Sequence, residues 1–207
     1  MGLIMERVEL EAPQALECDN DHPLVSRAQA GDVAAFEALV RRYERWVFTL
    51  ALRMVGDRGE AEDMAQEVFL KAYRGLARFK GTSRFSTWLY AIASHHCLNH
   101  LRARRRRPEA SGRVVEGADG EKPEAADLLP DAAPRADALL ERADLARIVQ
   151  TELTFLTQDH RLILILRDIQ GLSYEEIAET LGLELGTVRS RLHRARAEMR
   201  ERLEVHL

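Results

Sequence analysis

Between Pro23 and the C-terminus, hydrophobic residues recur at helical spacing, and no stretch alternates as a half-buried strand would. Asp32 is placed to cap a long helix whose apolar positions are Phe36, Leu39, Val40, Tyr43, Val47, Leu50, Ala51 and Met54, ended by Gly56. After a DRG turn, Ala61, Ala65, Val68, Phe69, Ala72 and Tyr73 predict the buried stripe of a second helix. Asp63, Gln66, Glu67 and Arg74 form its polar face. Gly81, Thr82 and Ser83 make a loop, and Ser86 or Thr87 is placed to cap a third helix running to about Arg104. Periodicity resumes near Arg135 with Leu139, Leu140, Ala143, Ala146, Val149 and Leu153. Thr157 then caps a further segment, QDHRLILILRDIQ, which ends at Gly171.

Residues 171–196, GLSYEEIAETLGLELGTVRSRLHRAR, read as helix, tight turn, helix. Ser173 with Glu176 three residues later forms a capping box, and Gly182 suits the C′ position. Ile177, Ala178 and Leu181 are the buried side of the first helix. Thr187 is the expected cap of the second, whose stripe is Val188, Leu192, Ala195 and Met199. Ser190, His193, Arg194 and Ala197 lie opposite that stripe, flanked by Arg189 and Arg191. Cations in the first half of a helix oppose its macrodipole, so helix stability does not explain them. A short cationic helix held by a preceding one fits a DNA major groove; the competing reading is a surface hairpin with solvated arginines.

A length of 207 residues allows one large or two small domains. Hydrophobic residues make up 46% of the chain, but no run approaches the ~20 residues of a membrane span, so no membrane insertion is expected. The start lacks the basic and apolar regions of a leader, and Glu6 stands where a myristoylation signal has Ser or Thr. Cys18 and Cys97 make no disulfide framework and suit a reducing, cytoplasmic setting.

The net charge of −4 conceals a strong asymmetry. Residues 21–107 hold sixteen basic and nine acidic side chains, +7, whereas 108–144 hold four and ten, −6. Four of the six prolines fall in 108–134 among Ala, Gly, Asp and Glu, a composition that cannot bury a core. The expected organisation is all-α: a disordered lead-in over 1–22, a helical domain over 23–107, a flexible acidic linker over 108–134 and a second helical domain over 135–207.

Phe79, Lys80, Arg84, Phe85, Trp88 and Tyr90 interleave rings with cations around the loop at 81–83. Rings stack on unpaired bases and cations follow phosphate, so the pattern suits single-stranded nucleic acid, although some of these rings belong to the core. His96 and His100, at i and i+4 beside Cys97, have a spacing that could chelate a metal. All the candidate ligands sit on one helix with no second cluster, so packed histidines are expected, with no metal and no cofactor. The carboxylates and histidines show no paired catalytic arrangement, and no enzyme is expected.

Three motifs together make the chain resemble the sigma-70 family of bacterial RNA polymerase initiation factors, in its compact extracytoplasmic-function group. They are AEDMAQEVFLKAY at 61–73, FKGTSRFSTWLYAIA at 79–93 and RDIQGLSYEEIAETLGLELGTVRSRLHRAR at 167–196. The resemblance covers about residues 24–107 as region 2 and 136–204 as region 4. It implies that Asp63, Gln66, Glu67 and Phe69 dock on the β′ clamp coiled coil of core RNA polymerase. It implies that Lys80, Arg84, Thr87, Trp88, His95, Asn99 and Arg102 melt the −10 promoter element and hold an extruded base; the family often has Asn where this chain has His95. Thr187, Arg189, Ser190, Arg191, His193 and Arg194 match the positions that read the −35 element. The segment around Leu164 to Leu172 matches the part that meets the β flap, and an anti-sigma factor is the implied regulator. The alternative is a stand-alone helix-turn-helix regulator responsive to metal through His96, Cys97 and His100.

Overall fold

The computed structural model describes residues 21–106 and 136–206, with side chains throughout except over 136–143. Every regular element among them is helical. The eight α-helices are α1 His22–Gln29, α2 Val33–Val55, α3 Arg58–Leu76 and α4 Phe85–Arg106, then α5 Ala136–Phe155, α6 Gln158–Leu164, α7 Tyr174–Leu181 and α8 Leu185–Leu203. The chain is thus all-α, with two helical domains, α1–α4 and α5–α8. The expected linker over 108–134 and the lead-in before Asp21 lie outside the described residues. Asp21 and His22, expected in the lead-in, are folded: the Asp21 carboxylate accepts from Tyr43 and pairs with Arg42 of α2.

In the first domain α2 is the central helix. Asp32 caps it by accepting from the Ala35 amide at 3.1 Å, and Gly56 ends it at φ 82°, the left-handed conformation that favours glycine. Trp46, absent from the expected stripe, is buried with it. The DRG turn is absorbed into α3, because the Asp57 carboxylate accepts from the Glu60 amide at 2.8 Å and starts the helix at Arg58. This helix buries Ala61, Met64, Val68, Ala72 and Leu76, whereas Tyr73, expected in the core, is 47% exposed. Ala61, Val68 and Ala72 of the expected stripe are buried on the side that packs on α2, joined by Met64 and Leu76, which the stripe lacks. Likewise α4 starts at Phe85, so Ser86 and Thr87 fall inside its first turn rather than before it.

In the second domain Thr157 caps α6 as expected, accepting from the His160 amide at 3.3 Å. The helix then widens into one π-turn, Ile165–Ile169, where the Gln170 amide reaches back five residues to the Ile165 carbonyl at 2.8 Å. Ser173 and Glu176 form both bonds of the capping box, at 3.1 and 2.8 Å, and Gly182 ends α7 at φ 62°. Thr187 is not the cap of α8. Its amide already bonds the Glu184 carbonyl at 2.9 Å, so the helix begins at Leu185 with Glu184 as N-cap. Val188, Leu192, Ala195 and Met199 form the buried stripe, extended by Leu203.

The two domains close on each other through one apolar cluster that runs from Val25 to Leu203. α2 packs on α5 and α6, and α4 packs on α6 and α7. At the centre of the seam the second domain caps the C-terminus of α2. Arg161 of α6, 5% exposed, donates to the carbonyls of Met54 and Thr154. Gln150 of α5 donates to the Arg53 carbonyl at 3.4 Å and accepts from the Arg53 guanidinium at 3.0 Å. Burial pushes the Arg161 guanidinium down to about 10, and Arg105 adds to the effect. A cation at a helix C-terminus is nevertheless favourably placed, because the last carbonyls carry the negative end of the helix dipole.

Truncating Arg161 to Ala leaves the Met54 carbonyl without its partner and is expected to weaken the closed form by about 1–3 kcal/mol. Thermal unfolding together with small-angle scattering measures this; an unchanged melting temperature and radius of gyration would remove Arg161 as the latch. Ser173→Ala, which deletes one half of the capping box, is expected to cost about 1 kcal/mol in urea unfolding without altering the closed arrangement.

Candidate nucleic-acid interface

The aromatic loop is built from the end of α3 into the start of α4. Gln29 of α1 donates to the carbonyls of Leu76 and Phe79 at 3.0 and 2.8 Å, which pins the chain where it leaves α3. Gly81 then turns at φ 69°, and Phe79 and Phe85 pack around Trp88 at ring distances of 4.9 and 5.7 Å. Phe85 is buried, so it is core, as the competing reading held; Trp88 is only partly covered and forms the floor of a cavity of about 500 Å³.

That cavity lies between α3 and α4. From α4 it takes Trp88, Ile92, His95, His96 and Asn99, which share one face at helical spacing; from α3 it takes Lys71 and Gly75, and from the turn after it Arg78. Gly75 has a steric role, since a Cβ there would stand 3.2 Å from the Trp88 ring. The His95 Nδ1 lies 2.8 Å from the Ala91 carbonyl and donates to it, which leaves Nε2 free for a base edge. His96 is held below the usual histidine range by burial first and then by the charges of Lys71 and His100. It therefore meets Lys71 as a neutral acceptor, 2.5 Å away, and leaves the cationic charge on the lysine at the cavity edge.

His100 takes a different partner, Glu60 of α3 at 2.5 Å, which also pairs with Arg104 at 3.0 Å. Buried Cys97 is kept protonated, its thiol pushed up to about 12 by burial. The i, i+4 histidines thus point at separate side chains, and no group of three metal-ligating residues occurs among the described residues.

Of the residues expected at the −10 element, Trp88, His95 and Asn99 line the cavity, and Lys80 is exposed beside the loop. Thr87 departs from expectation: it is 5% exposed, turned inward in the first turn of α4. Arg84 sits 3.7 Å from Glu176 of the second domain, and Arg102 lines a different cleft. Sequence reasoning missed Lys71, Gly75, Arg78, Ile92 and His96. The α3 members lie eight or more residues before Trp88, and only the packing of α3 on α4 brings them together.

On α8, Arg189, Ser190, His193 and Arg194 are exposed opposite the buried stripe, as the helical period requires. Thr187 joins them from the first turn. Arg191 is drawn aside to Asp159, 3.7 Å away, and Arg196 is bound by Asp168, which raises its basicity. The array is therefore thinner than its sequence: Arg189 and Arg194 pair with no carboxylate among the described residues, while Arg196 braces α8 against the π-turn.

Asp63, Gln66 and Glu67 are exposed on the outer face of α3 with Phe69 half-buried, and the apolar Leu70 and Tyr73 are 46% and 47% exposed beside them. The stretch Leu164 to Leu172, expected at a polymerase surface, is largely covered here: Ile165 and Leu166 are 0% exposed and Leu172 5%. Its apolar residues serve the core of their own domain and the seam with α2. No described helix is long and apolar enough to cross a membrane.

Residues 39–107 match Sigma-70 region 2, and residues 146–199 match Sigma-70 region 4. The RNA polymerase sigma-H factor of Pseudomonas aeruginosa is 43% identical over 186 residues, which span 90% of this chain and 95% of that one. The ECF RNA polymerase sigma-E factor of Escherichia coli K12 is 42% identical over 176 residues, 85% of this chain and 90% of that one. Among solved structures, CnrH in complex with the cytosolic domain of CnrY has a TM-score of 0.63 at 26% identity, covering 90% of this chain and 99% of that one. The sigma factor RpoE of Bartonella quintana, in complex with the anti-sigma factor NepR, shares the fold with a TM-score of 0.61 at 24% identity over 82% of this chain and 97% of that one. With both family regions present in order and relatives above two-fifths identity over nearly their whole length, the chain belongs to the sigma-70 family, in its extracytoplasmic-function group.

Proposed function

We propose that this chain is a promoter-specificity factor that joins core RNA polymerase, reads a −35 element with α8 and melts a −10 element with the loop and cavity between α3 and α4. The observation that carries this reading is the cavity itself. It offers a Trp88 ring for stacking, the His95 Nε2 and the Asn99 amide for a base edge, and Lys71 and Arg78 for phosphate. Stacking one extruded base there recovers about 1–3 kcal/mol of what melting costs. A protein that reads only duplex DNA has no use for such a pocket. On α8, Arg189 and Arg194 are the best-placed cations for base edges or phosphate, and Arg191 becomes available when Asp159 releases it.

The outer face of α3 is assigned to the polymerase β′ clamp: the acidic Asp63 and Glu67 beside exposed Leu70 and Tyr73 combine charge with apolar area. The nucleotide chemistry is left to the polymerase, and the assigned setting is the cytoplasm. The stand-alone, metal-responsive alternative loses its sensor, since His96 and His100 are engaged by Lys71 and Glu60.

The closed arrangement is assigned to the free or inhibited chain. Elements near −10 and −35 lie about 25 base pairs apart, roughly 85 Å of duplex. Here Arg102 of the first domain and Arg191 of the second line one cleft, so the two elements cannot be read together. The domains must separate on the polymerase, which would also uncover the seam side of Leu164 to Leu172 for the β flap. CnrH was solved with a second protein bound and aligns over most of this chain, which supports an anti-sigma partner that favours the closed form.

Transcription in vitro with core polymerase and a promoter library tests the assignment; absence of promoter-dependent initiation would sink it. Trp88→Ala is expected to reduce open-complex formation by about tenfold or more while leaving core binding intact. Arg194→Ala is expected to cost about 1–3 kcal/mol in initiation from promoters that depend on the −35 element and to leave −10 melting untouched. Normal initiation by both variants would displace the cavity and the α8 face from these roles.

A further inference from the structure

The cleft between the domains gathers arginines that promoter reading assigns, at most, to two separate DNA elements. It is open, about 710 Å³ in volume, and lies between the end of α4, the start of α6 and the first half of α8. Arg102, Arg105 and Arg106 enter it from α4, and Arg191 and Arg194 face them from α8. Asp159 is the one carboxylate in its lining, and it is matched to Arg191. Arg102, Arg105 and Arg106 meet no carboxylate among the described residues.

The α4 arginines alone have an ordinary explanation, because cations favour a helix C-terminus. That explanation does not reach α8, where Arg191 and Arg194 stand mid-helix, two turns or more from the C-terminus at Leu203. Nor does it explain why closure brings the two sets together, since like charges placed face to face repel. Closure leaves these guanidiniums gathered around a space of the size that holds small ligands, about 300–1,000 Å³. The major groove of a duplex is alone about 12 Å wide, and a duplex does not fit inside such a cleft. A short chain of phosphates does, and planar guanidiniums bind its oxygens two at a time. The hydroxyls of Thr187 and Ser190 on the same wall add neutral donors.

We infer that the closed chain carries an anion site between its domains, in which Arg102, Arg105 and Arg106 face Arg191 and Arg194 across a bound polyphosphate, free or carried by a nucleotide. Binding neutralises the repulsion across the cleft and occupies two arginines of the α8 face. Such an anion therefore favours closure and opposes −35 reading, coupling the factor to phosphorylated metabolites. The site rests on the closed arrangement rather than on promoter reading, so it is tested on the full-length chain without polymerase.

The experiment is isothermal titration of the chain with sodium tripolyphosphate and, separately, with ATP, at fixed ionic strength. Saturable binding of one equivalent is expected. Equal affinities assign recognition to the phosphate chain, and tighter binding of ATP assigns it to a nucleotide. Arg105→Ala with Arg106→Ala, both exposed and outside the assigned DNA contacts, is expected to weaken binding by about tenfold per arginine. Arg41→Ala with Arg45→Ala, an equal charge change on the exposed face of α2, should leave the affinity as it was. Circular dichroism verifies that each variant folds, and Arg105→Lys with Arg106→Lys should retain part of the binding. Absence of saturable binding, uptake of many equivalents, or equal weakening by the two alanine pairs would overturn the site.

Discussion

Arg161 goes into the seam between the domains as a cation whose partners are two backbone carbonyls rather than a carboxylate. The last turn of α2 makes this tolerable: its carbonyls lack helical partners, carry the negative end of the dipole and would be left bare if the seam closed on an apolar side chain. The capping is mutual, since α2 receives its donors from α5 and α6, and Arg161 receives acceptors from α2 and from its own domain. Closure is therefore specific in register but not permanent. Opening returns Arg161 and the Met54 carbonyl to water, where both are well solvated. Trp46 Nε1, Arg53 Nε, Arg161 Nε and Gln170 Oε1, buried around the seam, have no protein partner among the described residues, which further limits the strength of closure. A contact of this kind behaves as one state of a two-state element.

The surfaces engaged in closure overlap those assigned to promoter and polymerase. Glu176 at the start of α7 holds Arg84 of the melting loop, Arg102 and Arg191 share a cleft, and the π-turn segment packs toward α2. A partner that clasps the two domains together needs no contact with the α8 face to silence it. Conversely, whatever separates the domains exposes both reading surfaces in a single event. Regulation can then act on the distance between domains rather than on each surface.

Local features of the fold were legible in the sequence, and relations between distant segments were not. The Ser173–Glu176 box, the Gly56 and Gly182 stops, the Asp32 and Thr157 caps and the stripe on α8 each depend on residues within a few positions of one another. Asp57 is hidden as a cap because it opens the sequence DRG, which resembles a turn. Helical spacing puts Tyr73 in one stripe with Ala61 and Ala72, but only the alanines of these three are covered by the packing of α3 on α2. Thr87 was read as a cap and a DNA contact; the extra turn of α4 buries it. Arg191, expected on the DNA face, and its neighbour Arg196 meet Asp159 and Asp168 only through the fold. A third of the lining of the cavity at Trp88 is hidden for the same reason, since Lys71, Gly75 and Arg78 have no sequence relation to Trp88 beyond the packing of α3 on α4. The seam rests on donors and acceptors up to 124 residues apart, and no local pattern encodes it.

The π-turn at Ile165–Ile169 has a bearing on how this molecule can vary. A π-turn holds one residue more than the α-turn it replaces, and each residue turns a helix by about 100°. Within and just after that turn, Asp168 accepts from Arg196 and Gln170 donates to the Trp46 carbonyl. Removing a single residue here would restore an ordinary helix and swing everything after it, α7 and α8 included, to a new azimuth relative to α6. The turn thus acts as an indexing joint. Because Ile165, Leu166, Ile169 and Leu172 are buried, a gain or loss of one residue at this point would re-aim α8 only together with a repacked core.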